Sequence, residues 1–175
     1  MFRQYKENLF YLFLVLAFFD PIGVMFWLFF SINTAPLLPL LVSLSLVLTL
    51  QNKNSLLKYK WAVITSFISL VLITILIGNK SLFYMQIVGL HIYIVYKIFI
   101  LFTKNSIYEK GINVFYILLL FYELMNLFKV FNYFFAFNNF FKYSTITSIF
   151  QITIGIYFSI VKESSPKNFF RFKTL

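Results

Sequence analysis

Six apolar stretches separated by short polar runs constrain this chain more than any other feature. About twenty apolar residues cross the hydrocarbon core of a bilayer as a helix. Residues 8–30, 36–50, 60–77, 81–102, 112–137 and 143–161 approach that length, the second being short and the fifth long. The second begins Pro36-Leu37-Leu38-Pro39, and proline is tolerated in the first helical turn, where its missing N–H has no partner to lose. The fifth has length to spare for a tilt, or for reaching past the hydrocarbon at Asn138-Asn139.

Composition agrees with a lipid environment. The chain is 61% hydrophobic and 11% charged, whereas a soluble domain is roughly half apolar and a quarter charged. A chain of 175 residues that folds in water needs a polar exterior, and this one lacks the residues to build it. The expected fold is all-α, a polytopic transmembrane helical bundle of about six spans. Residues 1–162 form the six-helix transmembrane domain and 163–175 a basic, aromatic cytoplasmic tail. The 26 phenylalanines need no ring-lined site to explain them, because Phe partitions favourably into hydrocarbon.

The basic residues orient the bundle. Arg3 and Lys6 precede the first stretch, Lys53, Lys58 and Lys60 flank the second connection, and Lys104 and Lys110 lie in the fourth. Lys162, Lys167, Arg171 and Lys173 follow the last stretch, while the opposite side carries Lys80 and Lys142. With six spans every basic cluster falls on one face, which the positive-inside rule makes cytoplasmic together with both termini. The net charge of +10 then meets anionic headgroups, since the basic residues lie in interrupted runs and not along one face suited to nucleic acid. The first stretch runs through Asp20-Pro21 without a small-x-small cleavage site, so it reads as a retained helix and not a signal peptide.

Polar groups inside such segments cost a few kcal/mol each on insertion scales, and they mark where function is to be sought. The candidate intramembrane polar site comprises Asp20, Glu123, Lys97 and Asn126. At about 1.5 Å rise per residue, Asp20, Glu123 and His91 each lie roughly 17 Å from the cytoplasmic end of their segment. Helical phasing puts Tyr116, Glu123, Asn126 and Tyr133 on one inward face of the fifth segment, with Lys129 at its edge. In the fourth, Gln86, Tyr93 and Lys97 share a face with Gly89 while His91 points nearly the other way, which separates His91 from Lys97.

An ion pair of Glu123 with Lys97 or Lys129 would fix helix register, and His91 reads as a hydrogen-bonded packing residue. No second His or Cys stands at ligand spacing, so neither metal nor cofactor is expected. Asp20-Pro21-Ile22-Gly23 implies a kink that frees carbonyls near Ala17. Ser144, Ser148, Gln151, Gly155 and Ser159 form one small-residue seam and Ala62, Thr65, Ser66 and Ser69 another, both suited to close helix approach. The tail mixes Lys167, Arg171 and Lys173 with Phe169, Phe170 and Phe172, a composition for the headgroup boundary. Asn79-Lys80-Ser81 matches a glycosylation sequon close to the membrane surface.

No phosphate-binding glycine loop, G-x-S-x-G elbow or H-E-x-x-H helix occurs, and the sequence displays no nucleophile–base pair beside its single histidine. The first stretch with Asp20-Pro21-Ile22-Gly23, followed by Thr34-Ala35-Pro36-Leu37-Leu38-Pro39-Leu40-Leu41, resembles the opening of the YhhN family of lysoplasmalogenase-type membrane hydrolases. The resemblance implies a polytopic helical membrane protein. That family has eight spans, a lysine before its Pro-Leu run and a Gly-Asp pair in its third helix. Here Ala35 replaces the lysine and the third stretch has no carboxylate, so no activity and no catalytic residue carries over. The closing stretch, residues 146–162, is similar to small six-span membrane proteins of flavobacteria, which implies a bacterial inner membrane.

Three functional readings follow. The favoured one is a non-enzymatic membrane component, an accessory, sensing or assembly subunit partnered by lipid, by a second copy or by another membrane protein. The second is a small-solute carrier or channel built on Asp20, Glu123 and Lys97. The third is a lipid-processing hydrolase with Asp20 and Glu123 as acid and base.

Overall fold

The computed structural model describes residues 7, 9–30, 37–51, 58, 60–77, 80–135, 140–165 and 168–171. A helix stands over each of the six apolar stretches: α1 (Phe10–Phe30), α2 (Leu37–Thr49), α3 (Lys60–Ile77), α4 (Lys80–Glu109), α5 (Val114–Phe135) and α6 (Phe140–Ile160). The all-α expectation therefore holds. Among the described residues two helical spans, Ser81–Glu109 and Val114–Asn132, are long and apolar enough to cross a membrane. A short antiparallel pair, β1 (Gly111–Asn113) with β2 (Phe169–Arg171), is the addition that apolar length did not announce.

Packing centres on α4 and α5, which lie against each other, with α2 on α4, α6 on α5 and α1 on α2. Two apolar clusters hold these helices. The larger joins Leu12 of α1, Leu46 of α2, Ile94 and Ile98 of α4, Phe115 and Leu119 of α5, and Ile154 and Phe158 of α6. The smaller joins Leu40 and Leu44 to Phe83 and Ile87, with Leu70 of α3 leaning on it. Along α4 the buried positions Ile87, His91, Ile94 and Ile98 recur at steps of three and four, the spacing of one helical face. His91 interrupts that face between the two clusters, as Ser43 does between Leu40 and Leu46.

Several local features differ from expectation. The helix over the fourth stretch runs seven residues past Phe102 and ends where Lys110 takes a positive φ of 50°. That left-handed turn is a common way to stop a helix, and it delivers the chain into β1. Asn113 then caps α5, its Oδ1 accepting from the Phe115 N–H at 3.0 Å. α1 is assigned as helix without a break through Asp20-Pro21, so the proline is accommodated within the helix and does not end it.

Of the small-residue seams, Gln151 faces a neighbouring helix, where it bonds to α5, while most of the other described members face outward. Thr65, Ser66 and Ser69 are exposed, as are Gly155 and Ser159, and a methyl built on Gly89 or Gly155 would meet nothing within 4 Å. Thr65 and Ser159 donate to carbonyls of their own helices, the local alternative open to hydroxyls in helices.

The residues after α6 fold back on the bundle. Glu163 is buried, accepting from the Tyr116 hydroxyl and, at 3.1 Å, from the Leu9 N–H at the start of α1. A carboxylate at a helix N-terminus is favoured by the unpaired N–H groups there. Asn168 donates to the Lys162 carbonyl at 2.7 Å and accepts from the Tyr157 hydroxyl at 3.1 Å. Phe169 and Phe170 then pair with Asn113 and Ile112, so this stretch is a strand closing one end of the bundle. Phe170 remains exposed. Lys167, Phe172 and Lys173 lie outside the described residues, as do Thr34, Ala35, Pro36, Lys53, Asn79, Asn138 and Asn139.

Candidate functional site

A chain of polar side chains runs across the bundle between the two apolar clusters. Glu123, on the buried face of α5, has no solvent exposure. Its Oε2 lies 3.1 Å from His91 Nδ1 on α4. On the far side of the ring, Nε2 lies 3.1 Å from Ser43 Oγ on α2. Ser43 is itself fully buried, and its hydroxyl is within 2.8 Å of the Pro39 carbonyl. The hydroxyl proton thus has two acceptors. When it goes to Pro39, His91 Nε2 must carry a proton to give to Ser43; when it goes to Nε2, the ring proton sits on Nδ1 and is donated to Glu123.

From Glu123 the chain continues toward α6. Asn126, one turn along α5, donates from Nδ2 to Glu123 Oε2 over a long 3.5 Å. Gln151 of α6 donates to Asn126 Oδ1, and Lys129 of α5 donates to Gln151 Oε1. Every donor in this half points the same way, from the ammonium through two amides to the carboxylate. Lys129 and Glu123 are thereby linked through a bridge of two amides. Glu123 Oε1, like Ser106 Oγ and Asn113 Nδ2, is buried and finds no hydrogen-bond partner among the described residues, a costly condition for a carboxylate oxygen.

These groups border an open cavity of about 360 Å³ lined by residues of five helices. Ser43, His91, Asn126, Lys129 and Gln151 form its polar side, and Leu16, Val42, Leu46, Ile87 and Val130 are among its apolar walls. Glu123 stands behind His91 and Asn126 and is not part of the wall.

The structure brings Glu123 and Asn126 together and keeps Lys97 apart from them. Lys97 Nζ lies over the Tyr93 ring, 5.4 Å from its centroid, on the α4 face away from His91. The Tyr93 hydroxyl accepts from Gln51 at 2.7 Å. The expected contact of Glu123 with Lys97 is replaced by the contact with His91, because His91 and not Lys97 shares the α4 face that packs on α5. Asp20 lies in α1, and its side chain is outside the described residues.

Ser43 and Gln151 were missed as partners. A usable signal existed for Gln151, which stands eleven residues into α6 as His91 stands eleven into α4, placing both roughly 16 Å deep. Ser43 carried no such signal, since a serine in an apolar helix most often bonds to its own backbone, as Ser45 does.

Among the described residues no group of three or more His, Cys, Asp or Glu could hold a metal ion. Comparison with protein-family models, curated proteins and solved structures finds no match.

Proposed function

We propose that the chain is a six-span protein of a bacterial inner membrane, with both termini cytoplasmic, acting as a non-enzymatic component whose buried polar chain sets the register of its helices. The observation that carries this reading is that one hydrogen-bonded series, from Ser43 through His91, Glu123, Asn126 and Gln151 to Lys129, engages α2, α4, α5 and α6. Each of those helices rotated by one residue would strand a polar group in hydrocarbon, where it has no water to fall back on.

The membrane setting is supported by the outward faces. Phe29 of α1, Leu76 of α3, Phe99 of α4 and Ile152 of α6 are 54–83% exposed. In water each such side chain forgoes about 1.5–3 kcal/mol of burial; in lipid it forgoes nothing. α1 and α3, at 21 and 18 residues, span about 31 and 27 Å, close to the roughly 30 Å hydrocarbon thickness. α2, with 13 residues, is the shortest crossing.

The test compares broken and fully apolar versions of the series. Glu123→Gln alone lowers the amount of folded protein in the membrane fraction. Joint replacement by Ser43→Ala, His91→Phe and Glu123→Leu recovers much of it, because a buried pair removed as a whole costs far less than one partner removed. A purified wild-type protein that moves a solute or proton across proteoliposomes, and loses that flux in the folded Glu123→Gln variant, would overturn the non-enzymatic structural reading in favour of a carrier.

A further inference from the structure

We infer that the strand pair β1–β2 and the end of α4 form a surface that lies in the headgroup layer of the bilayer and binds anionic phospholipid. Length places it there. α4 has 30 residues and runs about 45 Å, as long as the roughly 40–45 Å of hydrocarbon with both headgroup layers. Its last turn, and β1 directly after it, therefore sit among lipid heads. The side chains exposed at that level are of two kinds. Ile107 and Tyr108 of α4 are 74% and 84% exposed, and Phe170 of β2 is 69% exposed. Phe170 is paired with the half-buried Ile112, and alternation along the strand turns Ile112 to the face opposite the buried Gly111 and Asn113. In water such a face forgoes its burial free energy; at the acyl boundary it does not, and tyrosine is enriched at that boundary. Beside it Lys104, Lys110 and Lys162 are exposed, and among the described residues their side chains make no hydrogen bond or ion pair.

The positive sign of this surface follows from the whole chain. Of its five carboxylates, Asp20 and Glu123 lie deep in α1 and α5. Glu163 is buried against Tyr116 and the Leu9 N–H, and Glu7 accepts from Ser164 Oγ at 2.8 Å. Glu109 alone is exposed beside the three lysines. Arg3, Lys6, Lys167 and Lys173 lie outside the described residues and add positive charge only. An anionic phospholipid meets both kinds of side chain at once, its phosphate the ammonium groups and the top of its acyl chains the apolar pair. In the proposed topology this is the cytoplasmic leaflet. The choice of leaflet rests on the six-span reading; the choice of lipid does not.

The experiment introduces Phe170→Trp into the full chain carrying Trp27→Phe and Trp61→Phe, which removes both native tryptophans. The protein is placed in nanodiscs of phosphatidylcholine and phosphatidylglycerol, and its fluorescence is read with one lipid or the other brominated. Both brominated lipids quench, and at equal mole fraction phosphatidylglycerol occupies the surface roughly fivefold more than phosphatidylcholine, about the effect of one lysine at a lipid surface. Joint replacement by Lys104→Gln, Lys110→Gln and Lys162→Gln brings that preference close to one, whereas Lys80→Gln, at the other end of α4, leaves it unchanged. Absence of quenching by either lipid would put the strand pair in water. Equal occupancy by both lipids, or an undiminished preference in the triple lysine variant, would show that the surface does not select anions. Each of these results overturns the inference. Nanodiscs present the same lipids on both faces, so the outcome is independent of orientation, and failure in a protein with six confirmed spans counts against the surface alone.

Discussion

Replacing Glu123 and His91 singly and together separates the pairing seen in the structure from the pairing that charge alone would favour. Glu123 Oε2 is 3.1 Å from His91 Nδ1, a normal hydrogen-bond length, whereas Lys97 is held over Tyr93. Hydrogen bonds to charged groups are worth about 1.5–3 kcal/mol in soluble proteins, but interhelical bonds in membranes average about 0.6 and reach about 1.7 kcal/mol. Full burial of Glu123 and near-full burial of His91 place this pair at the upper end of the membrane range. Glu123→Leu alone strands the imidazole and the Asn126 amide, and His91→Phe alone strands the carboxylate. The double variant strands less than the two combined. The expected coupling is about 1–2 kcal/mol, with the double variant more stable than additivity predicts. Reversible denaturation in mixed detergent micelles supplies the four free energies. The same cycle run on Lys97→Met with Glu123→Leu should be additive within about 0.5 kcal/mol. Coupling between Lys97 and Glu123 as large as that between His91 and Glu123 would refute the arrangement.

Three further outcomes follow from other parts of the fold. Glu163→Ala removes the acceptor for the Tyr116 hydroxyl and the Leu9 N–H; it should release the closing strand, at a cost of about 1–3 kcal/mol, and limited proteolysis after Lys162 should accelerate. Lys110→Gly relieves a side chain held at φ 50° and should raise stability by about 0.5–1 kcal/mol in the same micelle assay. Gly155→Ala adds a methyl where nothing lies within 4 Å; it should be stabilising by about 0.5–1 kcal/mol, and a loss of stability there would restore the small-residue seam as a contact.

Much of the fold was legible because hydrophobic length is a one-dimensional signal. The expected third stretch, 60–77, coincides with α3, and the other stretches agree with their helices at most ends to within about three residues. The departure at α4 has a physical cause: past Phe102 the sequence turns polar at Thr103, Lys104 and Asn105, which ends an apolar stretch but does not end a helix, and the stop is conformational, at Lys110. The inward face of α5 was legible from phase, since Tyr116 and Glu123 are both buried. The identity of Glu123's neighbour was not, because it depends on which helix lies beside α5 and at what rotation. Lys97 and His91 stand six residues apart on α4, about 120° apart in phase at about 100° per residue, and only packing shows that His91 has the side facing α5. The docked strand was illegible for a different reason. A basic, aromatic composition suits an interface, while Glu163 and Asn168, which pin the segment, are the kind of polar residues that a solvated tail also carries.

The claim on which most of this depends is that six helices cross the membrane with both ends on one side. The chain contains no cysteine, so single substitutions report without background. Lys80→Cys and Lys142→Cys, compared with Lys104→Cys and Lys162→Cys, can be treated with a membrane-impermeant maleimide on intact cells and again after permeabilisation. The account predicts labelling of positions 80 and 142 in intact cells, and of 104 and 162 only once the membrane is opened. Labelling of position 142 that requires permeabilisation would contradict it.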